Sequence, residues 1–397
     1  MELALKDIRR HLGKFLSTIA GVAMLLAIVL VMNGIYQGNI QDGVWLIDNT
    51  ATDLWVVERG RGGPFNEASR IPLDSHKSIA ATPGVARASP MALYTAQRTI
   101  AGRDQQFTLI GYDVFGGAGG PGRLVQGRSI TAAHYEMVAD AKLGLRLGDR
   151  VPLGTDHYTV VGITNGAVDS GGNPLVYLAL ADAQKVQFEQ DKRAINAAAA
   201  ANLQRLDQAG YSPEQAARLL PLLAGGSSNI NAVLVTLAPG ANGRAVAAHI
   251  RDWLYFNVYT STEERNLMLE GKLSKMSAVL GLFRTLLILV SIVIIALIVY
   301  VLTIEKIKSI ATLKLIGAPN GLIVRLIMTQ SMLLTLTSFA VAYALRDLIA
   351  PGFPRTLAFM AQQTVVTFTV MLVGGVLASL MAVWHALRTP PQLALGG

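Results

Sequence analysis

The 397-residue sequence contains no cysteine. That excludes disulfides, thiolate metal sites and cysteine nucleophiles, and says nothing about compartment. Charge is scarce as well. Asp, Glu, Lys and Arg make up 15% of the residues, against about 25% in an ordinary soluble chain. No P-loop occurs, so any work driven by ATP needs an engine supplied by another polypeptide. The six histidines (His11, His76, His134, His157, His249 and His385) are scattered without metal-site spacing. No carboxylate pair or Ser/His/Asp set has a spacing that argues for catalysis, so no catalytic residue is expected. The net charge of +8 does not form the continuous basic stripe that nucleic-acid binding needs.

Apolar residues are abundant: 52% of the chain is hydrophobic and the mean hydropathy is +0.42. The excess sits in four stretches, Leu16–Tyr36, Val279–Ile304, Leu322–Leu345 and Thr364–Leu387. Each is long enough to cross a hydrocarbon core about 30 Å thick, which takes about 20 residues. The first is too long for a signal-peptide core and is followed by no small-residue cleavage site, so it reads as an uncleaved anchor.

Basic residues in the short segments set the orientation. Lys6, Arg9, Arg10 and Lys14 precede the first span, Lys306, Lys308 and Lys314 lie between the second and third, and Arg388 follows the fourth. Only Arg346 and Arg355 lie between the third and fourth. Both termini and the middle loop are therefore expected in the cytoplasm, and the segment 37–278 outside it. The expected order is a cytoplasmic amphipathic helix (1–15), span 16–36, the external domain with its stalk (37–278), span 279–304, a cytoplasmic loop (305–321), span 322–345, a short external loop (346–363), span 364–387 and a cytoplasmic tail (388–397). Arg325 and Arg284 stand near opposite span ends, where long side chains can snorkel to the interface.

Between Lys272 and Ile316 there is no proline and a single glycine, Gly281. This predicts a helix of about 40 residues, about 60 Å long, whose outer half forms a stalk. The external segment alternates strand and helix signals. DLWVVE (53–58), ALYTAQRTI with QQFTLIGYD, DRVPLG with HYTVVGIT, and AVLVTL (232–237) read as strands. Helices are expected just before the Pro83–Gly84 turn, over 180–223 and over 244–253, giving an α+β domain. The glycines of GGAGGPG (116–122) lack the lysine and the strand-to-helix setting of a phosphate cradle, so they read as a flexible connection, as does Gly60–Pro64. Trp253, Tyr255, Phe256 and Tyr259 read as core or stalk packing.

The middle loop carries most of the information. In Glu305-Lys-Ile-Lys-Ser-Ile-Ala-Thr-Leu-Lys-Leu-Ile-Gly-Ala-Pro319, the apolar positions Ile307, Ile310, Ala311 and Leu315 recur at helical spacing. Gly317 is a stop signal and Pro319 prevents continuation. A short helix between two spans follows, either resting on anionic lipid or docking on a partner through Ile307, Ile310 and Leu315. Gly374, Ala378 and Ala382 fall four apart on the last span and allow close helix contact.

The middle loop resembles the stretch E-R-x-x-E-I-G/A-x-L-K/R-A-I/L-G-A of the FtsX/MacB-type ABC transporter permeases. The basic start Leu5–Gly21, the segments LGLRLGDRVPL and YTVVGI (143–163), and the ending Arg388-Thr-Pro-Pro-Gln-Leu-Ala-Leu395 are similar to that family's, in the same order over essentially the whole chain. The family's usual Glu is Ser309 here. The chain looks closest to standalone permeases of the DevC and heme-exporter (HrtB) kind.

The resemblance implies four transmembrane helices, a large MacB-like extracytoplasmic domain, and placement in the cell inner membrane. It implies a non-catalytic subunit working with two copies of a cytosolic ABC ATPase, which bind ATP and Mg, and with a second copy of itself. A periplasmic adaptor and an outer-membrane channel are further expected partners, alongside membrane lipid. Glu305, Lys306, Ile307, Lys308, Ile310, Leu313, Lys314, Leu315 and Gly317 are the ATPase-coupling residues it implies, with Arg9, Arg10 and Lys14 on the N-terminal helix. ATP-driven closure would then be passed to the external domain (mechanotransmission), most simply for efflux. The alternatives are a lipid- or lipoprotein-handling permease, an FtsX-like regulator of external enzymes and, in another class, a membrane-anchored sensor.

Overall fold

The computed structural model describes residues 12–65, 67–100, 102–187, 229–353 and 356–388. It divides into a helical unit (Met1–Gln41 with Lys275–Gly397) and an α/β unit (Asp42–Ser274).

Chain order begins with helix α1 (Leu12–Asn49), strand β1 (Leu54–Val57), strand β2 (Ile71–Pro72) and helix α2 (Ser75–Ala80). Then come β3 (Val85–Ile100), β4 (Arg103–Tyr112), β5 (Leu124–Gly127), β6 (Glu136–Asp140), β7 (Arg150–Leu153), β8 (Asp156–Thr164) and β9 (Leu175–Ala179). Residues 180–187 are helical. The rest of the helix expected over 180–223 lies outside the described residues. After it follow β10 (Asn229–Ile230), β11 (Ala232–Leu237), α3 (Gly243–Trp253), β12 (Asn257–Thr260) and α4 (Ser261–Glu270). The chain then enters α5 (Lys272–Glu305), α6 (Ile307–Leu315), α7 (Asn320–Ile349) and α8 (Ala361–Arg388).

The α/β unit is built on one mixed sheet in the order β12-β1-β11-β3-β4-β9-β6-β8-β5, with β7 paired to β8. The two hairpins expected from the sequence form. β3 and β4 pair antiparallel from Met91↔Tyr112 to Ile100↔Arg103, and β7 pairs β8 from Arg150↔Thr159 to Leu153↔Asp156. Two pairings are parallel, β4 with β9 and β6 with β8. Strands β1 and β9 are buried on both faces, which explains their unbroken apolar runs LWVV and LVYLA. Local capping fixes the helices. Asn242 accepts from the backbone N–H groups of Arg244 and Ala245 at the start of α3, and Thr260 and Glu263 form a capping box on α4.

The structure corrects three expectations here. The 116–122 glycines are packed, not a loose connection. Gly120 lies where a Cβ would stand 2.7 Å from the Tyr112 ring, and the Ala118 N–H donates to Ser89 Oγ at 2.9 Å. Gly63, at φ +88°, presses on the Glu264 carboxyl. Trp253 and Tyr255 are exposed rather than core, with Arg59 over the Tyr255 ring. Glu264 itself is fully buried and neither oxygen has a hydrogen-bond partner. Burial alone pushes its carboxyl up to about 8.

The helical unit holds four helices long and apolar enough to cross a membrane, Gly13–Asn49, Leu273–Glu305, Asn320–Ile349 and Ala361–Trp384. One core cluster joins Leu26, Leu30, Ile295, Ile327, Leu334 and Met371. Several hydroxyls inside the spans are satisfied by their own helix: those of Ser291, Thr303, Thr335 and Thr367 donate to carbonyls one turn back. Leu286, Leu289, Val293 and Leu297 stay exposed along α5, an arrangement at home in lipid rather than in water. The single helix expected from Lys272 to Ile316 is interrupted. Lys306 takes φ −94° and ψ 6°, ending α5 and starting α6.

Candidate functional site

Most of the residues singled out in the sequence gather around the break at Lys306. Glu305 is the last residue of α5 and receives the Lys14 ammonium of α1 at 2.5 Å. Lys306 donates to Gln330 Oε1 of α7 at 3.0 Å. Three helices are thus tied at one level by two side chains adjacent in sequence.

Helix α6 is short because its C-terminus is chemically determined. Gly317 has φ +91°, a conformation that costs glycine little. The Ala318 N–H donates to the Leu313 carbonyl and the Gly317 N–H to the Lys314 carbonyl, each at 3.0 Å. This pair of bonds is a Schellman motif. Pro319 then sits extended and starts α7.

The helix is two-faced. Ile310 is 2% exposed and belongs to the core cluster that also holds Leu26, Leu30 and Ile327, and Ala311 is buried beside it. Ile310, expected to meet a partner, has its side chain packed in the protein's own core. Ile307 and Leu313 are half-buried, and Lys308 and Ser309 are exposed. The apolar surface left for a partner comes instead from Leu315, 49% exposed, and from Ile316, 80% exposed. Ile316 was not among the sequence candidates. Its signal was present, because the residue just before a Schellman glycine is carried out of the helix's buried stripe.

Arg9 and Arg10 lie outside the described residues. Gly374 contacts α5 within the chain: a Cβ there would stand 2.7 Å from Ile292 Cγ1. Its neighbour Gly375 approaches α7, where Ser331 Oγ donates to the Gly375 carbonyl at 3.1 Å. Ala382 is fully buried. Nothing is described of the Ala378 side chain.

Residues 15–253 match the family model of the MacB-like periplasmic core domain, and residues 281–391 match that of the FtsX-like permease C-terminal. The chain belongs to the MacB/FtsX-type ABC transporter permeases. The permease is similar over nearly its full length to two proteins of Mycobacterium tuberculosis (strain ATCC 25618 / H37Rv), each described as an uncharacterized ABC transporter permease. One is 22% identical over 396 residues and the other 24% over 397, with 99% of each chain covered. Among solved structures, the periplasmic region of MacB from Actinobacillus actinomycetemcomitans aligns at TM-score 0.33 and 13% identity, covering 54% of this chain and 92% of that one. The extracellular domain of YknZ from Gram-positive bacteria aligns at TM-score 0.31 and 12% identity, covering 52% and 99%. The four long apolar helices and the α/β extracellular domain described above are the architecture of that family, whose members are permease subunits.

Proposed function

We propose that the permease couples a separate cytosolic ABC ATPase to conformational work of its extracytoplasmic domain, and that α6 is the docking element. The observation that carries this reading is the combination at α6: the helix is anchored inward through Ile310 and through the Glu305 and Lys306 ties, while Leu315 and Ile316 are presented outward. Such a helix can receive a push without deforming, because its inner face is already packed. Force arriving at α6 enters α1, α5 and α7 together through the Lys14 and Gln330 contacts.

In this reading α6 faces the cytoplasm of a cell inner membrane, as do both termini, in keeping with the eight-to-two bias of basic residues. ATP and Mg are bound by the ATPase. An ATPase dimer offers two clefts and each chain offers one α6, so two permease chains pair with two ATPases. Export, aided by a periplasmic adaptor and an outer-membrane channel, is the direction favoured. Copurification of the permease with the ABC ATPase co-expressed beside it is the test. A two-to-two mass, lost on Ile316→Asp, is the result expected. A stable one-to-one complex with full activity overturns the pairing, and undiminished copurification of Ile316→Asp overturns the docking role.

A further inference from the structure

The Lys14–Glu305 contact marks one end of the spans, and a second cross-helix contact marks the other. Asn33 stands 19 residues along α1 from Lys14, and Arg284 stands 21 residues before Glu305 on α5. At 1.5 Å per residue these separations are about 29 and 32 Å, close to the thickness of a hydrocarbon core. Arg284 and Asn33 therefore lie at the opposite interface, on the side where α1 and α5 run on into the extracellular domain.

The contact between them is incomplete. Arg284 Nη1 donates to Asn33 Oδ1 at 3.4 Å, the long end of a hydrogen bond. The Tyr36 ring lies 5.0 Å from the guanidinium carbon. Arg284 Nε is buried without a partner, and Nη2 donates to none of the described residues. Asn33 is 6% exposed, and Gln37, 8% exposed, lies one turn further along the same face of α1.

The comparison with Arg346 shows what is missing. Arg346 also sits in an apolar setting, between the Tyr343 and Phe359 rings at 3.9 and 4.4 Å. It is neutralised by Asp347, which accepts from Nε at 2.8 Å and lies 2.7 Å from Nη2. Arg284 has no carboxylate among the described residues. A guanidinium cannot shed its proton to become neutral, and a half-buried charge without a counter-ion at a span end is costly. The two Nη groups form a planar edge suited to a phosphate.

We propose that Arg284, beside Asn33 and against Tyr36, is a binding site for a phosphate-bearing anion at the domain-side membrane interface. The source favoured by depth is the phosphodiester of a lipid headgroup, since headgroups lie at this level; a free phosphate ion shares the chemistry.

The test uses the full-length permease in neutral detergent, titrated with phosphatidylglycerol and read by native mass spectrometry. One retained lipid per chain is expected, with affinity about tenfold weaker in Arg284→Gln, as for loss of a charge-assisted contact. The control Arg325→Gln, near the start of α7 and towards the opposite interface, should change it less than about twofold. Millimolar inorganic phosphate is then added. Displacement of the lipid assigns the site to phosphate in general, and no displacement assigns it to the headgroup; both uphold the anion site. Should Arg284→Gln fail to fold, Arg284→Lys keeps the charge but not the planar edge, and a loss of about threefold is expected. Lipid retention unchanged in the Arg284 variants, or lowered equally by Arg325→Gln, overturns the proposal.

Discussion

The Lys14 ammonium lies 2.5 Å from the Glu305 carboxylate, joining residues 291 positions apart in the sequence. The pair links the start of the first span to the end of the second, directly ahead of α6. Both side chains are exposed, at 58% and 40%, so the pair contributes little to stability, about 0–1 kcal/mol. Its use in the proposed mechanism is geometric: it makes α1 follow α6.

Lys14→Glu and Glu305→Lys should each leave the thermal midpoint nearly unchanged, within about 1 kcal/mol. In membranes containing the ATPase, each should lower transport-coupled hydrolysis. The double swap, Lys14→Glu with Glu305→Lys, should recover part of the loss. A double-mutant cycle on the hydrolysis rate measures this coupling. Additive losses would remove the pair from the mechanism.

Ile310 and Ile316 should part company when each is changed to Asp. Ile310 is in the core, so Ile310→Asp loses its burial and adds an unpaired buried charge, costing several kcal/mol, more than about 2–5 for truncation to alanine. The variant should express poorly or melt early. Ile316 is outside the core, so Ile316→Asp should keep the parent's thermal midpoint within about 0.5 kcal/mol while weakening copurification with the ATPase. Thermal unfolding and pull-down of both variants decide it.

Glu264 predicts a pH dependence with an unusual sign. Folding raises its pKa from the ordinary 4.5 to about 8, so the native state binds the extra proton. The stability Glu264 contributes is fully present below about pH 4.5 and is lost as pH rises towards 8, by up to about 5 kcal/mol. Glu264→Gln should flatten the fall of the domain's thermal midpoint between pH 5 and pH 8. A parent protein that grows more stable over that range would contradict the buried, protonated carboxyl.

Gly374→Ala should destabilise the helical unit. In an exposed helix this change is favourable by about 1 kcal/mol. Here the new methyl meets Ile292 Cγ1 at 2.7 Å and Cγ2 at 3.2 Å, and a β-branched side chain in a helix has no second rotamer to retreat to. Overpacking of about 1–3 kcal/mol should outweigh the helix gain. Gly321→Ala, with nothing within 4 Å, is the control and should be neutral or stabilising. Thermal unfolding of the two variants gives the comparison.

The sequence by itself determined whatever depends on neighbours along the chain. The four apolar runs are span-length whatever they pack against. The turn at Gly154 closes the β7–β8 hairpin, and Gly317 with Pro319 stops α6. What only the tertiary structure decided depends on partners far apart in sequence. The pairing of β4 with β9 and of β6 with β8 leaves no periodic trace, because a parallel pair has no shared turn. Gly116–Gly122 read as loose until Tyr112 and Leu234 were seen filling the space beside them. On α6, helical spacing placed Ile307, Ile310 and Leu315 on one stripe but gave no account of what that stripe faces. Packing against α1 and α7 settled it, turning Ile310 inward and leaving Leu315 and Ile316 outside. Arg346 carries its carboxylate partner next to it in the sequence, as Asp347, whereas only the fold shows what surrounds Arg284.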